Sequence, residues 1–124
     1  MAPGTVLVID DDRAVRESLS LMLREEGYGV ETYVSGADCL ENCNYRDVIC
    51  AIVDYHMPGM TGVQFAGLFH AGWLDTPVIL LTSMMTKGVE SMAQAAGIQS
   101  ILSKPPDVTE LCVLIAAADN RPRS

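Results

Sequence analysis

Five short apolar runs, each followed by a stretch of helical periodicity, constrain this chain more than any other feature. Residues 5–9, 28–34, 48–53, 78–81 and 98–102 are β-branched and too short for helices, which reads as strands. Between them Val15, Leu19, Met22 and Leu23, and later Val89, Met92, Ala93 and Ala96, recur at the spacing of one helix face. Strand and helix alternating in this way predict an α/β fold, a parallel sheet covered on both faces by right-handed crossovers. Ligands of such sheets bind beyond the carboxyl ends of the strands, where the strand order reverses.

Local signals mark the boundaries. Asp12 is placed to cap a helix over residues 13–26 that Gly27 stops, and Ser35 to cap a short helix running through about Cys43. A third helix is predicted over 63–71, after a turn region containing Pro58, Gly59 and Gly62. Pro77 opens the fourth strand, a loop runs through Gly88, and a fourth helix ends at Gly97. Val108, Leu111, Cys112 and Ile115 form the apolar face of the last helix. His70 reads as a surface or partly buried helix residue, and Trp73 as packing at the end of the third helix.

With 124 residues, 49% of them apolar, the chain suits one core and leaves no room for a second domain. The expected core covers about 5–118, with 119–124 a polar tail or linker stub. No apolar stretch reaches the roughly 18 residues of a membrane span, and no basic segment followed by an apolar one opens the chain. A soluble, cytoplasmic protein is the expectation. A formal charge of -8 would repel a phosphate backbone, which argues against direct nucleic-acid binding. Cys39, Cys43, Cys50 and Cys112 form no CxxC pair, and His56 and His70 complete no zinc-ligand spacing, so the cysteines read as reduced, mostly buried thiols.

The polar residues with chemistry to offer stand at the strand ends. Asp10 and Asp11 follow strand 1, Asp54 ends strand 3, Thr82 ends strand 4 and Lys104 follows strand 5. Three converging carboxylates repel one another unless a divalent cation or a lysine compensates them. Mg²⁺ fits, since it takes oxygen ligands at about 2.0–2.1 Å and is held by one or two carboxylates together with water and phosphate oxygens. A carboxylate can also attack a phosphoryl donor while the metal and a cation neutralise the transferring group. Lys104 supplies that cation, and Thr82 a hydroxyl hydrogen bond.

Four motifs, Val-Leu-Val-Ile-Asp-Asp-Asp, Val-Asp-Tyr-His-Met-Pro-Gly-Met-Thr-Gly, Val-Ile-Leu-Leu-Thr-Ser and Ser-Lys-Pro, follow in this order. In them the chain, from Val6 to about Ala117, resembles the receiver domains of two-component response regulators. The opening Asp-Asp-Asp-Arg-Ala-Val-Arg is also similar to receivers of the nitrogen-fixation regulator type. The resemblance implies a flavodoxin-like (βα)5 doubly wound sandwich with strand order 2-1-3-4-5. It implies a phosphoprotein of phosphorelay signal transduction rather than an enzyme, catalysing only its own phosphorylation and slow dephosphorylation. Carried over position by position, Asp54 is the phosphoacceptor, forming an aspartyl phosphate. Asp10 and Asp11 hold Mg²⁺ together with Asp54 and the backbone carbonyl of His56, while Lys104 and Thr82 meet the phosphoryl group. The implied donor is a histidine kinase or a histidine phosphotransfer protein. The implied readout is an output domain or a homodimer through helix 4, strand 5 and helix 5, with Ser83, Met84, Met85 and Ile101 as switch and partner surface.

The chain departs from the family pattern at two places. Ile101 stands where many receivers carry a Tyr or Phe that moves with the threonine, and its stiff β-branched side chain offers no ring. Pro106 follows Pro105 where an apolar or aromatic residue is more usual, and the Lys104–Pro105 bond is one the family often has in cis. Met84 and Met85 either offer an adaptable surface or pack under helix 4. Two rival functions follow. One is an interaction module that works without phosphorylation, motivated by Ile101 and the methionine pair. The other is an aspartyl-nucleophile phosphohydrolase, which needs a second acid where His56 stands.

Overall fold

The computed structural model describes residues 4–44, 46–72 and 75–120. The elements are β1 (Thr5–Ile9), α1 (Arg13–Glu25), β2 (Gly29–Tyr33), α2 (Gly36–Asn42), β3 (Val48–Asp54), α3 (Gly62–Gly72), β4 (Val78–Thr82), α4 (Lys87–Ala95), β5 (Ser100–Ser103) and α5 (Val108–Asp119). All five strands are parallel, in the order β2-β1-β3-β4-β5, as the sequence and the resemblance predict. Trp73 and residues 121–124 lie outside the described residues, and so do the packing expected of the one and the tail expected of the others.

The alternation of side chains along the strands divides the interior into two cores. Leu7, Ile9, Ala51, Val53 and Leu80 face Cys39 of α2, Phe65 and Phe69 of α3, and Val89 and Ala93 of α4. Val6, Val8, Cys50, Ile52, Ile79 and Leu81 face Leu19 and Leu23 of α1 and Leu111 and Ile115 of α5. Every residue of β3 is buried, the pattern of a central strand covered on both sides. Cys39, Cys43 and Cys50 are buried, Cys112 is half-buried, and none of the four is in a disulfide. Burial raises the thiols of Cys39, Cys50 and Cys112, that of Cys50 to about 12, which favours their protonated form.

Three of the boundaries that differ from the expectation have a cause in the local hydrogen bonds. Strands 2 and 5 begin one and two residues later than predicted, because Tyr28 and Ile98 belong to the stops of the preceding helices. Gly27 (φ +95°) and Gly97 (φ +84°) are left-handed, and Tyr28 N–H and Ile98 N–H donate back to the carbonyls of Leu23 and Ala93 at 3.1 and 2.9 Å. These are Schellman closures, in which an apolar residue just past the glycine packs on the helix it ends. The fourth helix starts at Lys87, since Thr86 caps it by accepting the Val89 N–H at 3.1 Å, and Gly88 lies inside the helix instead of in a loop.

Candidate functional site

The carboxyl ends of β1, β3, β4 and β5 bring together Asp10, Asp54, Thr82 and Lys104. Asp10 follows β1 directly and is 1% exposed. Its backbone N–H donates to the Tyr33 carbonyl at 3.1 Å, continuing the sheet one residue beyond the strand. One carboxylate oxygen accepts the Asp12 N–H at 2.9 Å, while Asp12 in turn caps α1 through the Ala14 N–H at 2.9 Å. Asp54, the last residue of β3, is 6% exposed. Gly62 makes room for it, since a Cβ there would lie 2.6 Å from the Asp54 carbonyl oxygen, so only glycine lets α3 start this close to β3.

Lys104 holds the two buried acids. Its ammonium donates to Asp10 Oδ2 at 2.9 Å and to Asp54 Oδ2 at 3.1 Å. Burial raises the Asp54 carboxyl above its ordinary range; the Lys104 bond works against that, and the nearby Asp10 charge adds to it. Lys104 is pulled down by burial but raised more by its bonds to Asp10 and Asp54, and it ends above its ordinary value. Two carboxylates sharing one ammonium, with a third nearby, leave the cluster short of positive charge.

Asp11 supplies the third carboxylate. It is exposed, and oxygens of Asp10, Asp11 and Asp54 lie within 4.8 Å of one another. The donor set is all hard oxygen, which suits Mg²⁺, and the spacing admits water between an ion and one of the acids, as that ion prefers. These residues therefore fit a divalent cation with a small hydration shell.

The family model for the response regulator receiver domain matches residues 6–116. The chain belongs to this family. It is similar to Response regulator MprA of Mycobacterium sp. (strain KMS), 31% identical over 93% of this chain and 50% of that protein. Its similarity to the Transcriptional regulatory protein FixJ of Azorhizobium caulinodans is 32% over 94% of this chain and 55% of that one. The chain thus spans about half the length of these regulators. In structure it resembles the chemotaxis protein CheY4 of Vibrio cholerae, with TM-score 0.87 and 28% identity over 94% of this chain and 99% of that one.

Around the acidic cluster of this receiver the remaining expected residues are placed as follows. Thr82 is 1% exposed, and its hydroxyl both accepts the Met84 N–H at 3.1 Å and faces the Met84 carbonyl at 3.2 Å. The threonine is therefore engaged with the loop leading to α4. Met84 and Met85 are 63% and 41% exposed, which rules out the reading that they pack under α4. Ser83 is exposed beside them, while Ile101 is half-buried against the core under α2, α3 and α4. His56 is exposed, its ring edge-on to Tyr55 at 4.8 Å between centroids, and its backbone N–H favours the charged form of the Asp54 carboxylate. The Lys104–Pro105 bond is cis.

Sequence reading missed two contacts of the site. Arg16 donates from Nη1 to the Asp10 carbonyl at 2.8 Å, and the partner of Thr82 is the backbone of Met84. Neither has a motif. Spacing shows that Arg16 lies one turn into α1, but not that its long side chain folds back over the helix start.

Proposed function

We propose that this receiver is a phosphoacceptor, taking a phosphoryl group onto Asp54 from the phosphohistidine of a histidine kinase or a histidine phosphotransfer protein. The observation that carries the proposal is the Lys104 ammonium bridging Asp10 and Asp54, buried acids from different strands, beside a third carboxylate. An Asp54 carboxylate oxygen attacks phosphorus and an O–P bond forms. The P–N bond to the donor imidazole breaks, and the imidazole leaves with the bonding pair and is protonated by solvent. Lys104, already at Asp54, exchanges a carboxylate for a phosphoryl oxygen, and Thr82 turns from Met84 to donate its hydroxyl. Asp10, Asp11, Asp54 and the His56 carbonyl would hold Mg²⁺, which when bound neutralises charge on the transferring group. The chain's own chemistry is limited to this uptake and to slow hydrolysis of the acyl phosphate.

Phosphorylation then shifts a pre-existing equilibrium between two conformations of the face made by α4, β5 and α5, including Ser83, Met84, Met85 and Ile101. That face would engage an output domain or a second copy. The longer regulators to which the chain is similar support a place in front of an output segment, with one domain over about 5–118 and 119–124 as tail or linker. We place the protein in the cytoplasm, where its donor would be. Among the described residues no helix is long and apolar enough to cross a membrane.

Acetyl phosphate with Mg²⁺ is expected to add the mass of one phosphoryl group, and Asp54→Asn to prevent labelling at that site. An unlabelled wild-type protein would sink the proposal. Ile101 favours one second reading, a receiver fold that binds its partner without phosphorylation. Partner affinity indifferent to Asp54→Asn and to Mg²⁺ removal would establish it. Against a phosphohydrolase stands His56, which occupies the place of the second acid such an enzyme needs.

A further inference from the structure

We infer that Arg16, outside the cluster of carboxylates and Lys104, is a positioning residue for the metal-binding acids. The inference rests on the reading that Asp10 and Asp11 hold a divalent cation. All polar groups of Asp10 are held: its N–H by Tyr33, its two carboxylate oxygens by Asp12 and Lys104, and its carbonyl by Arg16 Nη1 at 2.8 Å. The last of these bonds sets more than Asp10. The Asp10 carbonyl and the Asp11 N–H belong to one rigid peptide plane, so anchoring the oxygen fixes the direction in which the chain leaves β1 and carries Asp11. Asp11 is exposed, and none of the hydrogen bonds among the described residues reaches its carboxylate. Its place beside Asp10 and Asp54 therefore depends on that plane.

The neighbouring arginine of α1 provides a control. Arg13 pairs through Nε with Glu17 at 2.8 Å, both side chains well exposed, and among the described residues no hydrogen bond or ion pair joins it to the cluster. Arg16 and Arg13 carry the same charge about one turn apart, but only Arg16 holds the peptide plane. Electrostatics and positioning also predict opposite signs. Removing a positive charge near three acids makes the site more attractive to a cation, whereas releasing the plane makes it less so.

The experiment is a Mg²⁺ titration of the folded protein followed by the amide signals of Asp11 and Asp54 in ¹H–¹⁵N spectra, at constant ionic strength, for wild type, Arg16→Met and Arg13→Met. Loss of a partner that orients a metal ligand typically weakens binding at least about tenfold, and that rise in the half-saturating Mg²⁺ concentration is expected for Arg16→Met. Arg13→Met should stay near wild type. A half-saturation for Arg16→Met equal to or below wild type, or an equal rise in both variants, overturns the inference. Arg16→Gln, too short to reach Asp10, replaces the methionine variant if that one does not fold, with the same outcomes. A wild type silent to Mg²⁺ defeats the metal reading instead. Positioning is then decided in the metal-free spectra, where Arg16→Met must move and broaden the Asp11 amide and Arg13→Met must not; an unmoved Asp11 amide overturns it.

Discussion

At the scale of the residue, the cluster is held in tension. Asp54 is surrounded by burial and a second carboxylate that disfavour its charge, against one lysine that favours it. A carboxyl raised above its ordinary value of 3.8 is worse off charged in the fold than in the unfolded chain. Its contribution to stability is complete below that unfolded value and is lost as pH rises through the folded one. In metal-free protein Asp54→Asn is therefore expected to raise the midpoint of thermal unfolding at pH 7, with the gain shrinking as pH falls toward 3.8. Melting curves with EDTA across that range decide it; a lower midpoint at pH 7 would mean that the Lys104 bond outweighs burial. This stored disadvantage is what a bound cation would relieve.

At the scale of the element, the helices on one face are tied together by a side chain that no motif marks. His70, near the end of α3, places Nδ1 3.0 Å from the Ala96 carbonyl at the stop of α4 and Nε2 2.9 Å from the Thr76 carbonyl ahead of β4. His70→Leu removes the ring N–H, and stranding the partly buried carbonyl that it serves is expected to cost roughly 1–3 kcal/mol in denaturant unfolding. A midpoint unchanged from wild type would show that water replaces the ring. The sequence described His70 only as a surface or partly buried helix residue, because a helix pattern shows which face a residue occupies and not which distant carbonyls meet there. The same limit explains the boundaries. Strand and helix identity, strand order and the acids at the strand ends were legible, since each rests on local periodicity or an ordered motif. Tyr28 and Ile98 were assigned to strands because an apolar residue after a glycine reads alike whether it closes a helix or opens a strand. Thr86 was missed as a cap because Gly88, two residues on, reads as a loop.

At the scale of the molecule, two cores hold a rigid sheet whose carboxyl edge carries the cluster, within a chain of formal charge -8. Net negative charge makes any added salt stabilising by screening, so stabilisation by MgCl₂ alone does not demonstrate a site. Comparison at equal ionic strength separates the two effects. NaCl screens the whole surface, whereas an ion bound at the cluster adds a stabilisation of about 2.7 kcal/mol once its concentration is about 100 times its dissociation constant. MgCl₂ is therefore expected to raise the unfolding midpoint above NaCl of matched ionic strength. Asp11→Asn should remove most of that excess, because the exposed Asp11 carboxylate can leave the cluster without breaking the bonds from Lys104 to Asp10 and Asp54. If MgCl₂ and NaCl give the same midpoint, the acids are compensated by Lys104 alone and the metal must be removed from the proposed mechanism. If the excess survives Asp11→Asn, the ion sits on Asp10 and Asp54 without Asp11, on carboxylate lone pairs that the bonds from Lys104 to Oδ2 of each acid leave open.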